Sequence, residues 1–362
     1  MAYKVWSVST TSWADRVLVS EHSCSWATAL NEGRPGQARF HLGDPDVAVA
    51  LNQGALSPLS RALIVEWEGT PLYGGLILTN DYSRDTQTLT VSHSDAMWWI
   101  LARRHVLASR GADAAARNIE WSNLTYGTLV NRVITTAQNG GAGYGLPIVV
   151  PGDDAGVHSM TLYGYHMPLA SELIEDIAAK EMGPDVSFRP RWTASGAVEF
   201  VRTSSPFDSS NYQVYDFHAG APESGITGLQ WKVDAAKVTN RLFALGEGSE
   251  KNMLVEPVSD PYSPYLALER TVSFKDQSDR GALRSRALEE LATANSPTVQ
   301  VSMDIPADGF PNVSQLRLNS LIRWIVTDDP YFEAGWKTGR VIEFSGDTAS
   351  NKVHLEFQPL GG

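Results

Sequence analysis

The sequence predicts a β-rich α+β fold, with two antiparallel β-barrel-like regions and an α+β region inserted between them. Three observations lead there. Short apolar or alternating runs, separated by turn-forming clusters, fill the chain up to about residue 110 and return after residue 206. Between them, two stretches switch to a helical period and are followed by a hairpin pattern. The chain has 362 residues, more than one compact core usually covers. The expected division is therefore 1–110 (first β-barrel), 111–205 (α+β, two helices and a hairpin) and 206–362 (second β region with one helix).

In the first region, Arg16 to Ser20 and Ser23 to Ala27 are short candidate strands. Gly36 to Leu42 alternates, with Ala38, Phe40 and Leu42 on the pleat face opposite Arg39 and His41. Ala62 to Trp67 is a strand turned by Glu68-Gly69-Thr70-Pro71, and Tyr73 to Thr79 returns. Asn80 to Asp85 is a second turn cluster before the strand Thr86 to His93. Ser94 is placed to cap a following helix, with Asp95 in its first turn. Barrel closure would leave no exposed strand edge.

In the middle region, Leu124 to Gln138 carries Leu129, Val130, Val133, Ile134 and Ala137 on one helical face, and Asn139-Gly140-Gly141 stops it. Pro168 to Met182 is the clearest helix, with Leu169, Leu173, Ile174, Ile177 and Ala178 as its stripe. Val186 to Trp192 and Val198 to Val201 form the hairpin. In the last region the strands are Leu229 to Val233, Val238 to Leu245, Leu266 to Phe274, Val299 to Ile305, Leu321 to Thr327, Gly339 to Ser345 and Lys352 to Phe357. Ser278 is read as the cap of a helix burying Leu283, Ala287, Leu288 and Leu291. Val258 to Tyr265 is a proline-broken loop that contacts a neighbour or covers an edge.

Hydrophobic residues are 43% and charged residues 19%, which argues for a folded chain and against disorder. The formal net charge of −12 repels nucleic acid over the average surface and disfavours DNA binding outside a local basic patch. Such acidity mainly promotes solubility, and it is also compatible with a channel along which DNA slides without sticking. Cys24 is the sole cysteine, so neither an intrachain disulfide nor a cysteine-rich zinc site is expected. Its alternating surroundings suggest a half-buried structural thiol. The N-terminus does not read as a secretory signal, and no apolar run approaches the roughly 18 residues that span a bilayer.

Several short stretches carry residue types used in catalysis or metal binding. Ser92-His93-Ser94-Asp95 has the residue types of a hydrolase triad, but neighbouring strand residues point to opposite faces. A surface histidine at a strand end is the expectation there. Gly246 to Lys251 begins like a dinucleotide fingerprint yet lacks the third glycine and a following helix, so it reads as a turn. The paired acids Asp44 and Asp46, Asp153 and Asp154, and Asp328 and Asp329 lack calcium-loop spacing and read as solvated loops. His158 and His166 are too far apart to share a helical metal face. Trp98 and Trp99 diverge by about 100° on a helix, so at least one faces the core. No catalytic, cofactor-binding or metal-binding residue is assigned.

Several segments resemble one family. They are Val238 to Gly248 with its Asn240-Arg241 pair, Leu72 to Leu78, Thr88 to Ser92, the run Asp95 to Arg104, Gly339 to Gly346 and Lys352 to Phe357. Together with the β, α+β, β order they resemble the tail hub or baseplate hub family of long-tailed phages. The likeness is strongest to minor tail proteins of phages infecting actinobacteria.

The resemblance implies a tail-hub-like fold and a non-enzymatic virion part without cofactors, assembled in the host bacterial cytoplasm. It implies a ring, usually a homotrimer, at the distal end of the tail tube. Two tube-like barrels per subunit then present a pseudo-sixfold face to the distal tail protein or tube protein. It also implies contacts with the tape measure protein and with tip fibres or a spike, and a lumen that passes DNA without specific binding. Many members carry a receptor-binding or lytic C-terminal extension, whereas this sequence stops at Gly361-Gly362, so those tasks are expected of another protein. Eleven Trp and twelve Tyr are material for interfaces or for ordinary cores. They also keep open a carbohydrate-binding receptor module. The paired acids keep open a glycoside or peptidoglycan hydrolase.

Overall fold

The turn clusters delimit twenty-one strands and five α-helices in the computed structural model, which describes residues 3–205, 213–219, 221, 225–275, 277–327, 329–331 and 334–360. Gly361, Gly362 and Asp328 lie outside the described residues. The first elements are β1 (Tyr3–Ser9), β2 (Val17–Val19), β3 (Ser23–Ala29), β4 (Pro35–His41), α1 (Pro45–Asn52), β5 (Arg61–Trp67), β6 (Thr70–Ser83), β7 (Thr88–Asp95) and α2 (Ala96–Leu101). Next come β8 (Ile119–Leu124), α3 (Tyr126–Ala137), β9 (Ile148–Val149), β10 (His158–Leu162), α4 (Ala170–Ala178), β11 (Asp185–Trp192) and β12 (Val198–Ser205). The remainder are β13 (Val214–Ala219), β14 (Thr227–Asp234), β15 (Arg241–Leu245), β16 (Val255–Ser259), β17 (Glu269–Ser273), α5 (Arg280–Ala294), β18 (Thr298–Pro306), β19 (Leu321–Val326), β20 (Gly335–Asp347) and β21 (Lys352–Pro359).

Packing divides the chain into two units, Met1–Leu229 with Ser302–Gly362, and Gln230–Val301. β14 and β18 each begin in one unit and end in the other. In the first unit, one path of strands runs β18-β21-β20-β3-β4-β7-β6-β5-β1-β2, with β19 on β20 and β13 parallel to β19. Strands from both ends of the sequence therefore share one sheet, joined where Glu343 to Asp347 pair antiparallel with Ala29 to Ser25. Arg34 Nε donates to the Glu343 carboxylate at 2.6 Å beside that join. The β-rich α+β class holds, and among the described residues the strands form no closed barrel.

Apolar pattern explains which strands are central. In β5, Ala62 to Trp67 are all buried, so both of its faces are covered. β7 alternates, burying Leu89, Val91, His93 and Asp95. One apolar cluster gathers Val8, Ile64 and Leu76 from the sheet, Met97 and Trp98 from α2, the α3 stripe, Ile174 of α4 and Phe188 and Phe200 of the hairpin. This cluster draws on residues from both sides of position 110.

Several expected boundaries move. β6 continues through Asn80 to Ser83, because those polar residues pair with β7 although their side chains face solvent. α1 was not foreseen: Asp44 Oδ1 accepts from Asp46 N at 2.9 Å and Pro45 opens the helix, so the supposed acidic loop is a capped helix start. Asp95, rather than Ser94, caps α2, accepting from Trp98 N at 3.0 Å. α4 is shorter than the periodicity suggested, and Glu172 accepts from Leu169 N at 3.2 Å at its start.

In the second unit, β15 is flanked by antiparallel β16 and parallel β17. α5 covers one face, packing Leu283, Ala287 and Leu291 against Leu242, Ala244 and Val258. Asp279, not Ser278, caps α5, accepting from Ala282 N at 2.8 Å. Leu288, expected inside, is 44% exposed, because the stripe that meets the sheet is set by 283, 287 and 291.

Candidate functional site

Asn240 and the loop that follows β16 form the most constructed surface feature. Asn240 precedes β15 instead of lying in it, and it is buried. Its Nδ2 donates to Ser263 Oγ at 2.9 Å and to the Leu266 carbonyl at 2.7 Å, while its Oδ1 accepts from Leu268 N at 2.7 Å. Its main chain closes the same loop, accepting from Asp260 N at 2.9 Å and donating to the Leu268 carbonyl at 3.1 Å. One amide side chain thus serves as donor and acceptor for a segment without regular structure of its own. The segment presents apolar side chains outward: Tyr262 is 92% exposed and Leu266 86%. Rigidly held apolar groups facing water are characteristic of contact surfaces.

The residues singled out in the sequence are dispersed. His93 is not at the surface but buried in β7, its Nδ1 3.1 Å from Tyr73 Oη and its Nε2 3.7 Å from Cys24 Sγ. Cys24 is fully buried rather than half-buried. Gly36 and Gly75 flank the imidazole, and a Cβ at either position would collide with it. Burial pushes the His93 imidazole down to about 4 and the Cys24 thiol well up. A protonated thiol beside a neutral imidazole is a packing contact, not an activated nucleophile. Asp95 is occupied by capping α2, and burial pushes its carboxyl up to about 7 against the pull of its two backbone hydrogen bonds.

Asp153 pairs with Arg132, and the Asp154 main chain is tied to Thr125 and Thr128 at the start of α3. Asp329 Oδ1 accepts from Tyr331 N at 2.8 Å. His158 stacks on Tyr126 at 3.6 Å, whereas His166 sits edge-on to Tyr165 at 4.4 Å. Trp98 is buried, and Trp99 lies under the Arg103 guanidinium at 3.6 Å. Gly246 to Lys251 is a turn that runs into a short 3-10 helix, with Gly248 at φ +113°. Among the described residues, no three His, Cys, Asp or Glu side chains come together as a metal-ion site.

Two polar features escaped the sequence reading. Glu66, buried in β5, accepts from the indole N–H of Trp6 at 3.1 Å and of Trp192 at 2.8 Å. A cavity of about 530 Å³ in the first unit is lined in part by Leu72, Asp185, Arg189, Arg317 and Asn319. Asp185 is paired there with Arg340 at 2.7 Å. Burial and the neighbouring Arg317 and Arg191 hold Arg189 down to about 10. No local pattern signals either feature, since each joins strands far apart in sequence.

No protein-family model and no curated protein matches the chain. Solved structures do. A tail protein from Neisseria meningitidis MC58 superimposes with a TM-score of 0.58 at 13% identity, over 99% of this chain and 97% of that one. The 43 kDa tail protein of prophage MuSo2 from Shewanella oneidensis gives 0.61 at 11% identity, over 98% of each chain. Prophage tail protein gp18 from Listeria monocytogenes EGD-e gives 0.50 at 9% identity, over 98% and 94%. The described part of the chain therefore has the fold of these tail proteins, as the resemblance implies.

Proposed function

We propose that this chain is a structural minor tail protein of a bacteriophage, the ring-forming hub at the distal end of the tail tube. The observation that carries this reading is the near-complete fold correspondence with two tail proteins, covering at least 97% of the chain on both sides. On this reading residues 1–110 and 206–362 each supply a β module to the ring, and 111–205 is the insertion between them. The changes of sequence period near those points support the division. The partners are further copies of the chain, in a trimer, together with the distal tail or tube protein, the tape measure protein and tip fibres or a spike. The acidic charge suits a lumen through which DNA passes without specific binding.

The outward apolar loop held by Asn240 supports a role in contacts with a neighbouring subunit. The role is non-enzymatic; the burial of Cys24 and His93 and the capping duty of Asp95 support this. Native mass spectrometry of the purified chain, with imaging of the assembled tail tip, tests the proposal. A ring containing this chain at the tip is the expected result. A strict monomer absent from virions overturns it.

A further inference from the structure

We infer that the cavity of about 530 Å³ lined by the β11–β12 hairpin and the segment 314–320 is a binding site for a carboxylate carried on an apolar group. The volume is within the range of small-ligand sites. Strand period sets one polar wall. Asp185, Ser187 and Arg189 occupy alternate positions of β11, hence one face, and Thr203 of β12 pairs with Ser187. All four line the cavity, and Arg317 and Asn319 line it from the other segment. Leu30, Leu72, Leu316 and Phe344 supply an apolar wall.

The charges in this lining are unevenly matched. Asp185 is already engaged, accepting from Arg340 Nη1 at 2.7 Å and from Asn319 Nδ2 at 3.0 Å. The two lining cations have no carboxylate. Arg189 is half-buried, and among the described residues its guanidinium makes no hydrogen bond and no ion pair. None of its nitrogens is among the sealed, unpartnered polar atoms, so a ligand can reach them. Arg317 commits Nη1 to the Ser314 carbonyl, at 2.7 Å, and to that of Leu316. Its Nε and Nη2 have no partner among the described residues and are likewise not sealed. Burial, then the positive charges of Arg317 and Arg191, hold Arg189 down to about 10. In a chain of net charge −12, this is a local reversal of sign. An anion bound between the two guanidiniums relieves their repulsion. A planar carboxylate matches the guanidinium fork, and the apolar wall takes the carbon body. Asp185, on the same strand face, disfavours a second negative charge on the ligand, which selects a carboxylate over a phosphate ester.

Thermal unfolding and titration calorimetry of the full chain, at constant ionic strength in chloride, test the site. The probes are phenylpropionate, its amide, acetate, phenyl phosphate and a blocked peptide with one glutamate beside one phenylalanine. Phenylpropionate is expected to raise the unfolding midpoint saturably. The amide lacks the charge and acetate lacks the apolar body, and each should bind about tenfold or more weakly. Tighter binding of the peptide than of phenylpropionate identifies the acidic side chain of a partner protein as the occupant. Equal or weaker binding identifies a free organic acid. Arg189→Gln should weaken phenylpropionate binding about tenfold without lowering the midpoint of the ligand-free chain, since it removes no bond within the protein. Arg317→Lys keeps the charge but loses the fork, and it should also weaken binding; it supplies the readout if Arg189→Gln does not fold. A midpoint insensitive to phenylpropionate, equal binding of the amide or of acetate, tighter binding of phenyl phosphate, or unchanged binding in the folded variants overturns the assignment.

Discussion

Replacing Asn240 with alanine should free the loop from Asp260 to Leu268 while leaving the helix–sheet core of the second unit folded. The substitution removes a 2.7 Å acceptor from Leu268 N and a 2.7 Å donor to the Leu266 carbonyl. It also removes the 2.9 Å bond to Ser263 Oγ, whose hydroxyl can turn to water. Each orphaned buried backbone group costs about 1–3 kcal/mol. The two backbone groups lie in a loop that water can enter, so a total of about 2–3 kcal/mol is expected. At about 1.4 kcal/mol per factor of ten, loop opening becomes roughly 30- to 150-fold more frequent. Native-state hydrogen exchange measures this directly. The amide of Leu268 should exchange faster by that factor, whereas amides in the middle of α5 should keep most of their protection. Asn240→Asp keeps an acceptor for Leu268 but loses the donor, and it should fall between the two. An exchange rate at Leu268 changed less than threefold would show that the main-chain bonds alone hold the loop.

Four further outcomes follow from buried groups. His93 has its imidazole lowered in the folded state to about 4, so the unfolded chain takes up that proton first as pH falls. Its contribution is intact above about pH 6.5 and lost toward pH 4, about 3 kcal/mol in all, and urea titrations should find this acid loss missing in His93→Gln. Asp95 behaves oppositely: its carboxyl is raised to about 7 when folded, so ionisation between about pH 4 and 7 weakens the folded state. Asp95→Asn, which retains a capping side chain, should gain stability relative to the parent across that interval. On α5, Leu291→Ala should cost about 2–5 kcal/mol while Leu288→Gln stays within about 0.5 kcal/mol, by thermal or denaturant unfolding. Phe357 is fully buried with its ring 4.9 Å from that of Trp324, and Phe357→Ala should cost about 3–5 kcal/mol.

The sequence by itself determined the features that depend on near neighbours. The alternation that buries Ala38 and Phe40, the α3 stripe from Leu129 to Ala137 and the hairpin around Gly196 all appear where the pattern puts them. Each is set by a periodicity of 2 or 3.6 that a short window carries. Asp44 and Pro45 also carry a helix-start signature, a capping carboxylate followed by a proline in the first turn. Tertiary structure alone decided the rest. It joined β20 to β3 across some three hundred residues, extended β6 through polar positions by pairing them with β7, and sealed Cys24 and His93 together inside the sheet. It also made Asn240 a clamp and buried polar atoms of Arg202 and Asn131 that meet no hydrogen-bond partner among the described residues. A polar residue is satisfied or orphaned according to what distant strands bring within 3 Å or so, and no local period records that distance.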